Sequence, residues 1–307
     1  MAGYLWRRSR VGVEFTRHGC RLAVLGGGRR KVTAALETAW DGQDPPDAVP
    51  EALGAFVRRH RLRKRRVIVG VPADHVTVRL LQLPPLPDKE LRRAVELEIG
   101  ETVMLPFDDP VFDVVRVPPI AVTGGDTGPA LVVAAPRSYV ERALNFVRSA
   151  GFIPSAVDIA PLARLRAAGA AAWKTPGVRV LVQVEEQETT IGIVSRGCLY
   201  FLRTVEHSTE ADAPVSWADR MTDVAYEVER VTQFFQFNLA SRETPVEGVW
   251  LAGAAAANPE ALGQFEALLG LPVEPLAVDV QGGRSVAGIS PEIYATAAGL
   301  ALKGSSR

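Results

Sequence analysis

Cysteine is nearly absent from this chain: Cys20 and Cys198 are the only two in 307 residues. They stand far apart and match no metal-ligand spacing, which excludes a zinc module and a disulfide-framed secreted fold. One bridge between them stays open, and reduced, partly buried thiols are the expectation. Charge of one sign is also lacking, because Lys+Arg and Asp+Glu are 35 each. The basic surplus usual in a nucleic-acid binder is therefore missing. No apolar run approaches the roughly 20 residues of a membrane helix. Met1-Ala-Gly-Tyr-Leu-Trp-Arg-Arg-Ser-Arg10 has no apolar core, so no secretory signal is expected. The four histidines (His18, His60, His75, His207) lack metal spacing. No P-loop, Gly-x-Ser-x-Gly elbow or dinucleotide fingerprint occurs. Gly26-Gly-Gly28 leads into Arg29-Arg30-Lys31 and another strand, so it reads as a hairpin turn and not a phosphate cradle. These absences remove most ordinary enzyme classes and point to a cytoplasmic protein that reaches a membrane only through a partner or its surface.

What is present is ample apolar content, 47%, over a length that suits two domains or one domain with an insertion. The organising stretch is Val76 to Asp158. A strand, His75 to Leu83, stops at Pro84-Pro85-Leu86-Pro87, where proline removes the backbone donor. Asp88 stands at the expected N-cap of a helix with Leu91, Val95, Ile99 and Val103 at helical spacing, ended by Pro106. Strands Val111–Val117 and Ala130–Ala135 follow, with Gly124-Gly125-Asp126 between them. Then come a helix over Ser138–Ala150, with Gly151 at its C′ position, and a strand near Ser155–Ile159. The order is βαββαβ.

Around this stretch a pattern occurs twice. Val11, Val13 and Phe15, then Leu22 and Val24, then Lys31 to Trp40 read as a three-strand meander, with turns near His18-Gly19 and at Gly26–Gly28. A helix from Pro50 to His60 and an apolar strand, Val67–Val71, come next. The run Arg58 to Arg66 reads as a solvated helix end favoured by the macrodipole, with phosphate or anionic lipid as the alternative partner. Beyond an alanine-rich helix (Pro161–Ala172) and a break at Thr175-Pro176-Gly177, strands at Val178–Val184, Thr189–Val194 and Leu199–Val205 repeat the meander. A long helix, Val215–Leu239, carries Met221, Val224, Val228, Val231, Phe234 and Phe235 as an expected core stripe. Strand Val246–Leu251, helix Pro259–Leu269, strand Val273–Pro275 and helix Pro291–Lys303 complete a second half, so an internal duplication is expected.

The chain resembles the type IV pilus assembly protein PilM family, within the actin-like ATPase superfamily. The resemblance rests on Val67-Ile-Val-Gly-Val-Pro72, Leu83-Pro-Pro-Leu-Pro-Asp-Lys-Glu-Leu91, Glu96-Leu-Glu98, Leu105-Pro-Phe107, Val132-Val-Ala-Ala-Pro136, Ala150-Gly-Phe152, Val157-Asp158, Leu251-Ala-Gly253 and Ala295–Leu302, in that order. It implies an α/β fold: a duplicated actin-like (ribonuclease H-like) body with an inserted βαββαβ subdomain. The first half would be 10–74 plus 159–173, the insert 75–158 and the second half 177–303. It further implies that the insert receives the cytoplasmic N-terminal peptide of a PilN-like single-pass membrane protein. Leu81, Leu83, Val95, Glu98, Leu131 and Val133 are the candidate groove residues. Other inner-membrane pilus proteins are candidate partners, and neither nucleic acid nor direct membrane insertion is expected. The chain would be cytoplasmic and peripheral to the inner membrane.

The same resemblance locates a nucleotide cleft between two Asp-x-Gly turns. Glu14 and Thr16 stand where the first aspartate and glycine belong, and Gln183 and Glu185 where the second pair belongs. Gly253 is what remains of the adenosine-side glycine pair. Glu185, Glu186 and Glu188 would repel a polyphosphate, although Mg²⁺ could recruit carboxylates there. A pseudo-ATPase without cofactor is the expectation, with ATP and Mg²⁺ as ligands if the cleft is competent. The competing readings are an active ATPase or phosphotransferase of this fold, and the cytoplasmic domain of a type II secretion L-type protein. The latter is disfavoured because such chains continue into a membrane helix and this one stops at Arg307.

Overall fold

A computed structural model of the chain describes residues 10–16, 19–26, 30–40, 48–101, 103–120, 128–169, 172, 175, 177–185, 187–207, 217–239, 244–282, 286 and 290–303. In chain order the elements are β1 (Arg10–Thr16), β2 (Gly19–Leu25), β3 (Lys31–Ala39), α1 (Ala48–Arg59), β4 (Arg66–Val71), β5 (Thr77–Leu83), α2 (Asp88–Glu98), β6 (Pro110–Arg116), β7 (Gly128–Pro136), α3 (Arg137–Ser149), β8 (Ile153–Ile159) and α4 (Ala160–Ala168). They continue as β9 (Val178–Val184), β10 (Glu188–Ser195), β11 (Cys198–Glu206), α5 (Trp217–Asn238), β12 (Val246–Gly253), α6 (Pro259–Leu269), β13 (Val273–Pro275), β14 (Gln281–Gly282) and α7 (Pro291–Lys303). The turns expected near His18 and at Gly26–Gly28, the Gly124-Gly125 turn, Pro176 and Glu186 lie wholly or partly outside the described residues.

The chain forms two compact units. One comprises Met1–Val76, Ala135–Trp173 and Ala277–Arg307, and the other Thr77–Ala134 and Lys174–Leu276. The first is built on a six-stranded sheet, β14-β3-β2-β1-β4-β8. Strands β1, β2 and β3 are antiparallel, while β4 runs parallel to β1 and β8 parallel to β4. Alternation along the strands splits the core. Val13, Phe15, Leu22 and Val24 pack with Leu53 and Val57 of α1 and Val147 of α3, whereas Ala23, Leu25 and Val32 pack with α7.

Helix α7 is apolar and small on every side, with Ala295, Ala297, Ala298, Leu300 and Ala301 all fully buried. Its Gly299 permits close approach of α4, since a Cβ there would stand 1.8 Å from the Ala163 carbonyl oxygen. A buried polar knot holds the same region. Asp158 accepts from Arg166 Nη2 at 2.9 Å and pairs with Lys303 Nζ at 3.1 Å. Such a charge is tolerated in a core because it is paired and hydrogen-bonded.

The second unit contains a five-stranded sheet, β11-β10-β9-β12-β13, with β9, β10 and β11 antiparallel and β12 parallel to β9. This is the order and polarity of β3-β2-β1-β4-β8, so the duplication is visible strand by strand. The same unit carries a three-stranded sheet, β5-β7-β6. Helix α2 covers one face of it through Leu91 and Val95, which meet Leu83, Ala130 and Val132. Strand β5 lies against β11, and Tyr200 Oη of β11 donates to the Pro118 carbonyl at 2.8 Å.

The element order β5-α2-β6-β7-α3-β8 is the one read from the sequence, but its last two members pair elsewhere. Strand β8 joins β4 in parallel, from Arg66↔Ile153 to Val71↔Ile159, and α3 packs beside α1 and β8. The inserted sheet is therefore βαββ, and 137–159 belongs with the first unit. Helix α7, assigned by sequence order to the second half, packs on β1, β2 and β4 of the first. Periodicity identifies a helix or strand but does not name its partner sheet.

Three smaller expectations also change. Helix α2 ends at Glu98 rather than near Pro106, because Gly100 takes φ +98° and the Val103 N–H returns to the Glu98 carbonyl at 2.8 Å. Asp88 is the first helical residue, not the cap, and Pro87 holds the cap position. Of the expected stripe on α5, Met221, Val224, Val228, Val231 and Phe235 are buried, but Phe234 is exposed and packs on Phe201 at a ring-centroid distance of 5.2 Å.

Candidate functional site

In the second unit the structure brings together three residues singled out as a nucleotide-cleft remnant. In the parallel register of β9 and β12, Gln183 stands beside Ala252 and Val184 beside Gly253. Gln183 Nε2 donates to Glu185 Oε1 at 2.9 Å, and the Glu185 N–H closes the hairpin on the Glu188 carbonyl at 2.9 Å. Gly253 has a local reason to be glycine: its φ is +80°, and a Cβ would fall 2.3 Å from the Val184 carbonyl oxygen. In the first unit, Glu14 is buried at 3% exposure on β1. Thr16 Oγ1 donates to the Gly19 carbonyl at 3.1 Å, tying the β1–β2 hairpin. Burial, with the Glu14 carboxylate second, pushes the Cys20 thiol far up, so it is an inert core group. Both cysteines are free.

A cavity of about 540 Å³, not anticipated from the sequence, opens between β10, β11 and α5 of the second unit. Thr189, His207, Arg220, Asp223, Tyr226 and Glu227 are among its lining residues. His207 Nε2 lies 2.9 Å from Thr189 Oγ1, and the His207 N–H donates to the Gln187 carbonyl at 2.8 Å. Burial and then the Arg220 guanidinium push the imidazole below its ordinary pKa, while Asp223 opposes them more weakly. A hydroxyl beside a neutral imidazole has the first two members of a nucleophilic constellation. Among the described residues, however, no carboxylate is hydrogen-bonded to the other ring nitrogen, so a triad is not assembled. Glu227 is held by Arg203 at 3.2 Å and Arg230 at 2.7 Å. The only sequence signal for this cavity was a histidine placed at the end of a strand. No group of three or more metal-ligating side chains is found among the described residues.

The six candidate groove residues of the insert do not form one surface. The register pairs Leu81 with Ala130 and Leu83 with Gly128, while Leu80 pairs with Leu131 and Val78 with Val133. Leu81 and Leu83 therefore lie on the face under α2, and Leu131 and Val133 on the opposite face. Val95 is fully buried within the α2-covered core, and Glu98 is half-buried at the helix end with its carbonyl closing the turn. Leu83, Val95 and Leu131 are buried. Among the described residues, the exposed large apolar groups of the insert are instead Leu97 at 75%, Met104 at 82% and Val115 at 55%. Spacing could not separate the two sets, because Leu97 carries the same hydrophobic signal as a core leucine.

No helix among the described residues is long and apolar enough to cross a membrane. No protein of curated function matches the chain in sequence. Among solved structures, the PilM–PilN type IV pilus biogenesis complex is similar over 97% of this chain and 99% of that one, at 20% identity and a TM-score of 0.76. The cytoplasmic domain of EpsL, an inner-membrane component of the type II secretion system of Vibrio cholerae, is similar over 96% and 95%, at 14% identity and a TM-score of 0.53. A Bacteroides thetaiotaomicron protein of actin-like ATPase fold and unknown function follows at 8% identity and 0.51, over 87% and 90%. These likenesses establish the actin-like fold. The sequence pattern of the family described as type IV pilus assembly protein PilM matches residues 32–210, which include the whole insert. The chain therefore belongs to the type IV pilus assembly protein PilM family.

Proposed function

We propose that this chain is a non-catalytic adaptor on the cytoplasmic side of the inner membrane, within a type IV pilus assembly or a related competence machine. It binds the cytoplasmic N-terminal tail of a PilN-like single-pass membrane protein. The observation that carries this reading is the family match across 32–210, together with near full-length likeness to a PilM–PilN complex. The exposed Leu97, Met104 and Val115 are apolar groups on the insert available to such a tail. The Glu185 carboxylate, held by Gln183 at that turn, supports an adaptor without nucleotide.

The test is titration of the full-length chain with the tail peptide of the PilN-like protein made by the same organism, followed by calorimetry. Leu97→Asp and Met104→Asp alter exposed side chains, so they should weaken binding at least tenfold while leaving the melting temperature in place. Val95→Asp and Leu131→Asp would bury an unpaired carboxylate and should unfold the insert instead. Peptide affinity unchanged in both surface variants would remove the insert surface from the reading. A type II secretion L-type role is the second reading, supported by the EpsL-like fold. Binding of a type II secretion partner tail in preference to the PilN-like tail would favour it.

A further inference from the structure

The cationic segment Arg58–Arg66 has no role in the functions discussed above, and its geometry differs from that of a frayed helix end. Arg58, Arg59, Arg61, Arg63, Lys64 and Arg66 are all exposed, while Leu62 between them is fully buried in the core beside α1. Backbone bonds fix the turn. The Leu62 N–H returns to the Val57 carbonyl at 2.9 Å, Arg65 to Leu62 at 2.9 Å and Lys64 to Gly151 at 2.8 Å. The Ile153 N–H meets the Arg65 carbonyl at 2.9 Å, which ties the segment to β8. Arg61 and Lys64 adopt φ +54° and +60°, a region that glycine or asparagine occupies at lower cost. The helix dipole acts on Arg58 and Arg59 but fades within the last turn, so it does not account for the five cations that follow. None of the seven forms an ion pair among the described residues.

Six exposed like charges on a pinned turn repel one another unless an anionic partner compensates them. A zero net charge over 307 residues means that attraction arises only at short range, where this turn meets a surface directly. Beside the cations, Ile153 of edge strand β8, the register partner of Arg66, is exposed at 47%. Apolar groups next to clustered cations suit the boundary between headgroups and acyl chains. A single-stranded nucleic acid would instead call for exposed rings among the cations, and the one ring in the segment, His60, packs against the buried Phe56 at 4.3 Å.

We propose that the α1–β4 turn, Arg58 to Arg66 with Ile153, is a docking site for an anionic phospholipid surface. It would hold the adaptor against the leaflet independently of the tail peptide. This rests on the adaptor reading only for where such a surface would be met.

The experiment is co-sedimentation of the full-length chain with vesicles of phosphatidylcholine containing about one third phosphatidylglycerol, against pure phosphatidylcholine. Binding is expected to the anionic vesicles alone and to disappear as salt rises from 0.1 to 0.5 M. Each cation near such a surface adds roughly fivefold in partitioning. The triple variant Arg59→Gln, Arg63→Gln, Arg66→Gln, which avoids the two positive-φ positions, should therefore lose about a hundredfold. Arg92→Gln with Arg93→Gln, on exposed positions of α2, should retain binding. Tail-peptide affinity measured without lipid separates this site from the adaptor reading: the triple variant should keep it. Equal sedimentation with both vesicle types, unchanged partitioning of the triple variant at an unchanged melting temperature, or tighter binding to duplex DNA than to vesicles at the same salt would each overturn the proposal.

Discussion

Gln183 donates its side-chain amide to the Glu185 carboxylate at 2.9 Å, at the end of β9 where the β9–β10 hairpin begins to turn. The two residues stand where the resemblance to actin-like ATPases places a phosphate-side aspartate and glycine. One amide N–H of Gln183 is engaged by Glu185, and a carboxylate stands where the resemblance places the glycine that would admit a phosphate. A polyphosphate brought to this turn would meet a negative charge.

The first prediction concerns that turn. A thermal melt with millimolar Mg-ATP should superimpose on the melt without it. A ligand at a hundred times its dissociation constant would add about 2.7 kcal/mol, a shift of a few degrees for a chain of this size. A Mg²⁺-dependent shift would return the ATPase reading to the front, and partner binding would then have to be tested with nucleotide present.

Gly253 is expected to matter for stability rather than for a ligand. Gly253→Ala places a Cβ 2.3 Å from the Val184 carbonyl oxygen at φ +80°. Left-handed strain and overpacking together should cost about 3 kcal/mol. A urea midpoint lowered to the same extent with and without Mg-ATP is the expected result. A loss seen only in the presence of nucleotide would assign the glycine to binding.

The pH dependence of stability has a defined sign. Burial first, and a neighbouring arginine second (Arg220 for His207, Arg59 for His60), lower both imidazoles below their ordinary value of 6.5 in the folded chain. The unfolded chain then binds more protons between the two pKa values. Stability is full above about pH 6.5, falls as pH drops through it, and levels off below the folded pKa values. Urea midpoints at pH 7.5 and 5.5 should differ in that direction, and the gap should narrow in His207→Gln. An unaltered gap in that variant would place the dependence on other groups.

The sequence by itself determined the types of most elements, the duplicated meander and the family. These depend on local periodicity, on prolines and glycines that end elements, and on the order of short words such as Leu83-Pro-Pro-Leu-Pro87. Tertiary structure alone decided which sheet each element joined. Strand β8 reads the same whether it follows β7 or pairs with β4, and only the Arg66–Val71 register settles it. It also decided which apolar residues are core. Val95 and Leu97 sit two positions apart on α2, yet one is fully buried and the other 75% exposed, because the β5–β7–β6 sheet covers a single face of that helix. The His207 cavity, the Tyr200–Pro118 bond across 82 residues of chain and the pinned cationic turn at Leu62 likewise depend on long-range packing. Side-chain chemistry specifies what a residue can bind, but only its neighbours in space determine whether it is left free to bind.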